Sequence, residues 1–272
     1  MNANDGDLQV FFQTLQDLLR GSFRDLLFGG HRTQSPLIIR LEGLRGNCIE
    51  LRLPGEGCLH LETVLVFADV AGQPVNVAPH ARVSSSSTYE GGEALLSERT
   101  LVDPENTAVG IHTDVGHDQW VRLEFNAEQS ISEIHVYNRD DVWASRAWGL
   151  VASVSLDGIS WHEVYNHGVR QAQLLQCLYA AAGVPGSSGR DRWVMRECIE
   201  VVQLLFAGRQ VDCVERIERL QWQDAEGAAE IRQQVPKAIL DLQQQVWNAH
   251  RIAKPFNSWS FDETAAHLPQ VQ

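Results

Sequence analysis

The period of the hydrophobic pattern changes twice along this chain, and those changes limit its fold more than any other feature. In residues 8–27, LQVFFQTLQDLLRGSFRDLL, the side chains of Leu8, Phe11, Phe12, Leu15, Leu18, Leu19 and Leu26 fall on one face at helical spacing. That is the pattern of an amphipathic helix, here breaking near Gly21, whose apolar face must be covered by something. LIIRL, NCIELRLP, LHLETVLVFAD, WVRLEF, ISEIHVYN, LVASVSLDG and WHEVYNHG then alternate or form short apolar runs, punctuated by Gly, Asn, Asp and Pro. Short strands with turn signals between them predict an all-β sandwich. From about Gln171 the helical period returns in LLQCLYAAAG, RWVMRECIEVVQLLFAG, VDCVERIERLQW and AAEIRQQVPKAILDLQQQVWNAHR, and strand alternation ends. The expected parts are an N-terminal helix over 1–27, a sandwich over 28–168 and a helical region over 169–272.

Composition narrows the partners. A chain of 272 residues with 44% hydrophobic content can bury the core of one good-sized domain and a smaller one. Its formal net charge of −13 argues against nucleic acid or an anionic membrane surface, both of which select for excess Lys and Arg. No apolar run approaches the roughly 20 residues of a membrane span. The start, MNANDGDLQVFF, lacks the basic region and continuous apolar stretch of a signal peptide, so a cytoplasmic location is expected. Cys48, Cys58, Cys177, Cys198 and Cys213 are odd in number and scattered, the usage of small buried hydrophobes rather than of a disulfide framework. Cys48 and Cys58 are expected to flank a hairpin.

One set of polar residues stands out. His112 is followed by 26 residues, then Arg139-Asp140-Asp141, then four residues, then Arg146. This spacing resembles the sugar-contacting signature of the F-type (fucose-binding) lectins. The surrounding IHTDVGHDQWVRLEFNAEQSISEIHVYNRDDVWASRAWGLVASVSLDGISWHEVYNHG is similar to the wider discoidin family, the coagulation-factor C-type domains and the family 32 carbohydrate-binding modules. The resemblance implies that His112, Arg139 and Arg146 hydrogen-bond fucose and that Asp141 orients them. It also implies a discoidin-like jelly-roll sandwich. Where those lectins commonly carry adjacent cysteines, this chain has Val142 and Trp143, a departure that bears on fucose more than on sugars in general.

The chemistry agrees with the resemblance. A neutral hexose presents hydroxyls that both donate and accept, so its site needs donors fixed in direction and an apolar wall for the C–H face of the ring. Two guanidinium forks and an imidazole supply the first, Asp141 can hold a guanidinium by a charge-assisted pair, and Trp143 and Trp148 are candidates for the wall. The alternative is that Arg139 and its aspartates are solvated ion pairs at a strand end that brace loops only.

Within the family, SLDGISWHEVYNHG is ordinarily followed by closing strands, and nothing after Gly168 resembles them. Their pattern is found upstream, within residues 37–70, before the family-like opening PVNVAPHARVSSSSTY. Sandwich termini often lie close together, so a circular permutation that moves those strands to the front is geometrically cheap. The competing reading makes 28–75 the tail of a lost preceding repeat, with sheets left short of strands. The family's calcium loop corresponds to SERTLVDPENTAVGIHTD, where Asp103, Glu105 and Asn106 offer oxygens for a structural Ca2+, although a turn at Pro104 explains them equally.

An enzyme is not expected. GxSxG, HExxH, GxGxxG and GxxxxGKS/T are all absent, Gly29-Gly30 lacks a strand-then-helix context, and Ser84 to Ser87 read as a loop. His112, Asp114 and His117 have none of the spacings of helical metal pairs. Asp140 and Asp141, adjacent on an extended chain, would point apart rather than form a carboxylate pair. The function expected is non-catalytic carbohydrate binding, with a fucose-like glycan as partner and a setting in surface polysaccharide biosynthesis. The alternative is an intracellular interaction module whose helical region, with Trp193, Trp222, Trp247 and the tail aromatics Phe256, Trp259 and Phe261, docks a partner protein or a second copy.

Overall fold

The computed structural model describes residues 5–27, 36–89, 98–106, 109–139, 144–183, 187–206, 210–232 and 234. They fall into two compact units, one spanning Phe28–Gly168 and the other Met1–Leu27 together with Val169–Gln272.

The β unit contains β1 (Leu37–Gly57), β2 (His60–Val70), β3 (Gln73–Asn76), β4 (Arg82–Ser85), β5 (Ile111–His112), β6 (Gly116–Asn138), β7 (Val151–Ser155) and β8 (Trp161–Asn166), with a short α2 (Glu98–Leu101). All are linked in one antiparallel hydrogen-bonded array ordered β3-β2-β6-β1-β7-β8, with β4 paired to β6 and β5 to β2. The architecture is a discoidin-like sandwich because β1 and β6 are long enough to serve both layers. Leu37–Gly46 pairs with the second half of β6, which β2 also flanks, whereas Cys48–Gly57 pairs with the first half, beside β4 and β7. Irregularities between Arg40 and Leu44, between Gly46 and Cys48, and between Leu53 and Glu56 let the pair bend from layer to layer. Glu42 and Gly43, with φ of 43° and 78°, form the first of these. Between the layers, Ile49, Leu51, Leu61, Val64, Val66, Val121, Leu123, Ile131, Ile134, Val136, Ala152 and Val154 make a single apolar core.

This continuity corrects two sequence expectations. LIIRL and NCIELRLP are one strand, as are WVRLEF and ISEIHVYN, because bulges absorb the turn-like residues between them without breaking the ladder. Cys48 and Cys58 therefore do not flank a hairpin. The strand between them separates them by roughly 30 Å at the usual rise per residue, and both thiols are buried and free. At Cys58 and Leu59 the chain crosses from β1 to β2, which are not paired with each other but lie on either side of β6.

The helical unit contains α1 (Asp5–Arg20), α3 (His167–Ala182), α4 (Gly189–Phe206) and α5 (Gln210–Gln223), with further helix over 225–232. The apolar face of α1, with Leu8, Phe11, Phe12, Leu15 and Leu19 buried, packs in one core with Leu174, Leu178, Val194, Met195, Cys198, Val202, Ile217 and Leu220. The covering that the N-terminal helix needed is thus supplied by helices on the far side of the sandwich in sequence. Trp247, Phe256, Trp259 and Phe261 lie outside the described residues. No described helix is long and apolar enough to cross a membrane.

Candidate functional site

One end of the sandwich collects polar side chains where four segments meet. His60 opens β2, His112 closes β5, Arg139 follows the last residue of β6, and Arg146 sits in a short 3-10 helix, Ala144–Ala147. Backbone pairing dictates this meeting. His60 is the cross-strand partner of His112, and Leu61 is the partner of Asn138, so the start of β2 lies between the end of β5 and the end of β6. Buried Thr113 pins the corner, since its Oγ1 accepts from Leu59 N at 2.8 Å and its N donates to Leu59 O at 3.0 Å. Buried Asn138 turns the chain out of β6, its Oδ1 accepting from Arg139 N at 2.9 Å. Gly110 admits no side chain here, because a Cβ would stand 2.1 Å from Glu62 O and 2.7 Å from Leu101 Cα.

The rings are ordered by stacking. His60 and His112 lie 4.0 Å apart and within 6° of parallel, and Tyr89 stacks on His112 at 4.5 Å and 25°. Two rings at such distances cannot share one face of an imidazole, so His112 is the middle of a three-ring stack and offers only its edge. Nη1 of Arg139 reaches the His60 ring, 2.5 Å from Nδ1 and 3.1 Å from Nε2. A guanidinium has no acceptor, so His60 receives this bond through an unprotonated nitrogen. Burial, followed by the charge of Arg139, pushes the His60 imidazolium down to about 2. His112 is also lowered, by burial first and then by Arg146 and Arg139, with Asp114 opposing. Both imidazoles are neutral at ordinary pH, each with one donor and one acceptor.

The serine run is structural. Ser86 and Ser87 Oγ both donate to Gln119 Oε1, at 2.7 and 2.5 Å, while Asp114 N donates to Ser87 Oγ and Trp120 N to Ser86 Oγ. This ties the chain leading to Tyr89, whose N donates to His112 O at 2.9 Å, onto the loop that follows His112.

His112, Arg139 and Arg146, singled out in the sequence, are therefore brought to one place. Asp141 and Trp143 lie outside the described residues, as do Asp140 and Val142. Trp148 is half-buried and packs on the sandwich core, whereas Tyr89 stands exposed on the ring stack as an apolar surface. Asp103 and Asn106 hold their turn: Asp103 Oδ1 accepts from Glu105 N and Asn106 Nδ2 donates to Glu62 O, both at 2.9 Å. Among the described residues no group of three or more His, Cys, Asp and Glu side chains is placed to hold a metal ion. The sequence reading missed His60 and Tyr89. Neither belongs to a spaced motif, and the one signal for His60 was a histidine inside the apolar run CLHLETVLVF.

No curated protein and no solved structure matches this chain. The strands β1 to β3 precede a segment that matches a family model, and β1 and β2 flank β6 in the same sheet. That segment, residues 82–177, runs from β4 into α3 and is similar to the F5/8 type C domain, whose model it matches.

Proposed function

We propose that this protein is a non-catalytic carbohydrate-binding protein whose ligand is L-fucose or a related sugar, held at the strand-end site by His112, Arg139 and Arg146. The observation that carries the reading is convergence. Arg139 and Arg146, 27 and 34 positions after His112, both bear on the stacked imidazoles of His60 and His112, and their forks suit sugar hydroxyls. F5/8 type C domains are ligand-binding modules, which supports binding over catalysis. In this reading the His112 edge and the two guanidinium groups bind hydroxyl and ring oxygens, and Tyr89 receives the apolar face of the sugar. Asp141 and Trp143 enter on sequence spacing alone. Calcium is assigned no role.

The same reading takes residues 37–70, β1 and β2, as the family's closing strands moved to the front, supported by their position on either side of the matched β6. It places the protein with enzymes that build or modify surface polysaccharide. Calorimetric titration with L-fucose and a panel of monosaccharides, on wild type and Arg146→Ala, tests it. Saturable binding lost in a folded variant is expected, and a folded wild type that binds no sugar would overturn it. The second reading, partner docking through the helical unit, is favoured by Trp222 on α5, which is 92% exposed. It predicts partner capture abolished by Trp222→Ala and untouched by Arg146→Ala.

A further inference from the structure

His60 is a buried polar group at the site that no spaced sequence motif marks. It is 4% exposed and follows Cys58 and Leu59, both buried, on a strand whose inner neighbours are core residues. A histidine in such a position is retained against a cost, since each ring nitrogen taken from water needs a partner. Its partners here are the site itself. One face of the ring covers His112, and its nitrogens lie against the Arg139 guanidinium. With Tyr89 on the opposite face of His112, the His112 ring cannot tilt without unstacking. With Nη1 of Arg139 anchored on His60, the orientation of that planar fork is set as well.

We infer that His60 is a positioning residue of the binding site: it touches no ligand, but holds the ring plane of His112 and the fork of Arg139 in the geometry that a sugar's hydroxyls require. This inference rests on the sugar-binding reading above. It goes beyond that reading in assigning a function to a residue from the strand upstream of the family-matched segment, so that recognition is shared between β2 and the loops that β2 supports. The role needs two properties at once, a flat ring for the stack and an unprotonated nitrogen for the guanidinium. The side chains that face His60 and bear on its charge are Arg139, Arg146 and His112, and both arginines disfavour protonation.

Two substitutions separate the properties. His60→Phe keeps the ring and removes the acceptor, whereas His60→Gln keeps an acceptor and loses the stack. If His60 were only a packing residue, Phe would be the milder change. If it positions Arg139, Phe weakens L-fucose binding by roughly tenfold or more, the loss of one charge-assisted hydrogen bond. Gln, which keeps an acceptor but leaves one face of His112 uncovered, weakens binding by a smaller factor of roughly threefold, and both variants must melt cooperatively for the comparison to stand. Equal affinity in wild type and a folded Phe variant overturns the inference and leaves the sugar-binding reading intact. Failure of wild type to bind any sugar overturns both. Should the Phe variant not fold, the ring-nitrogen resonances of wild type decide the matter. Saturating L-fucose must shift the His60 resonances through Arg139, and His60 resonances unmoved during saturable binding overturn the inference.

Discussion

The two units bury their apolar residues by opposite routes, and the difference explains why the candidate site belongs to one of them. In the helical unit each element forms from its own local pattern, and the described ion pairs, Arg170 with Asp25, Arg190 with Asp224 and Glu226, and Arg216 with Glu197, lie towards the surface. The core beneath them is built of apolar side chains, with Asp191 and Ser187 the buried polar residues among those described from Val169 onward. In the sandwich nearly every stabilising contact joins distant segments, and polar side chains are taken inside: His60, Glu62, Thr63, Thr113 and Asn138 are all buried. A ladder of backbone hydrogen bonds fixes side-chain direction residue by residue, so it can hold a neutral imidazole against a guanidinium where a helix surface would leave both to water.

That contrast can be broken most severely at Gly110. Gly110→Ala sets a Cβ against two backbone groups, Glu62 O and Leu101 Cα, neither able to move aside. A loss above about 4 kcal/mol is expected in the sandwich. Hydrogen exchange followed by segment would show β2, β5 and β6 unprotected, with α4 and α5 unchanged.

The converse change is Leu15→Ala, which empties a fully buried position on α1. About 3 kcal/mol should be lost from the helical unit. The same exchange measurement should find α4 and α5 opening more often while the sandwich ladder stays protected, because the cavity lies in a separate core.

Acid should sharpen the comparison without any mutation. His60 has an ordinary value of 6.5 and falls to about 2 in the fold. Between those values the unfolded chain takes up a proton that the folded chain refuses, so the stabilisation is complete above 6.5 and drains away as pH falls. From pH 7 to pH 5 the sandwich should lose about 2 kcal/mol on this account, with His112 acting in the same direction. Apart from His167 at the first position of α3, the sequence has no histidine from 1 to 27 or from 167 to 249, so denaturation of the helical unit should change less over the same interval. Equal losses in the two units would refute the assignment.

The smallest effect is expected at the helical surface. Arg190→Ala removes an exposed fork on Asp224 and Glu226, although Asp224 keeps its bond from Gly227 N. Less than about 1 kcal/mol should be lost, diminishing with added salt in a thermal melt.

Much of the architecture is legible in the chain, because hydrophobic period is a local property. The helical face of residues 8–19 and the alternation of VRLEF need no distant partner to be recognised. The meeting of His112 with Arg139 was legible only through the family resemblance, because a straight strand separates the loops at its two ends, and it is the bend of β6 from layer to layer that brings Arg139 back to His112. Continuity was not legible. The residues EGLRGN resemble a turn, yet Glu42 and Gly43 adopt positive φ as a bulge, and β1 runs on across both layers. Nor was His60 legible, since nothing in CLHLE states that its partner is His112, 52 residues away.

By itself the sequence determined the kinds of element, their order, the apolar faces they carry and three of the residues that meet at the candidate site. The tertiary structure alone decided which strands are shared between layers, that α1 is covered by helices following the sandwich, and that a buried histidine and a tyrosine join the arginines. The physical reason is the reach of the forces involved. Side-chain period and backbone preference act over a few residues, whereas hydrogen-bonded pairing and close packing choose among distant segments, and that choice is made only when the chain folds.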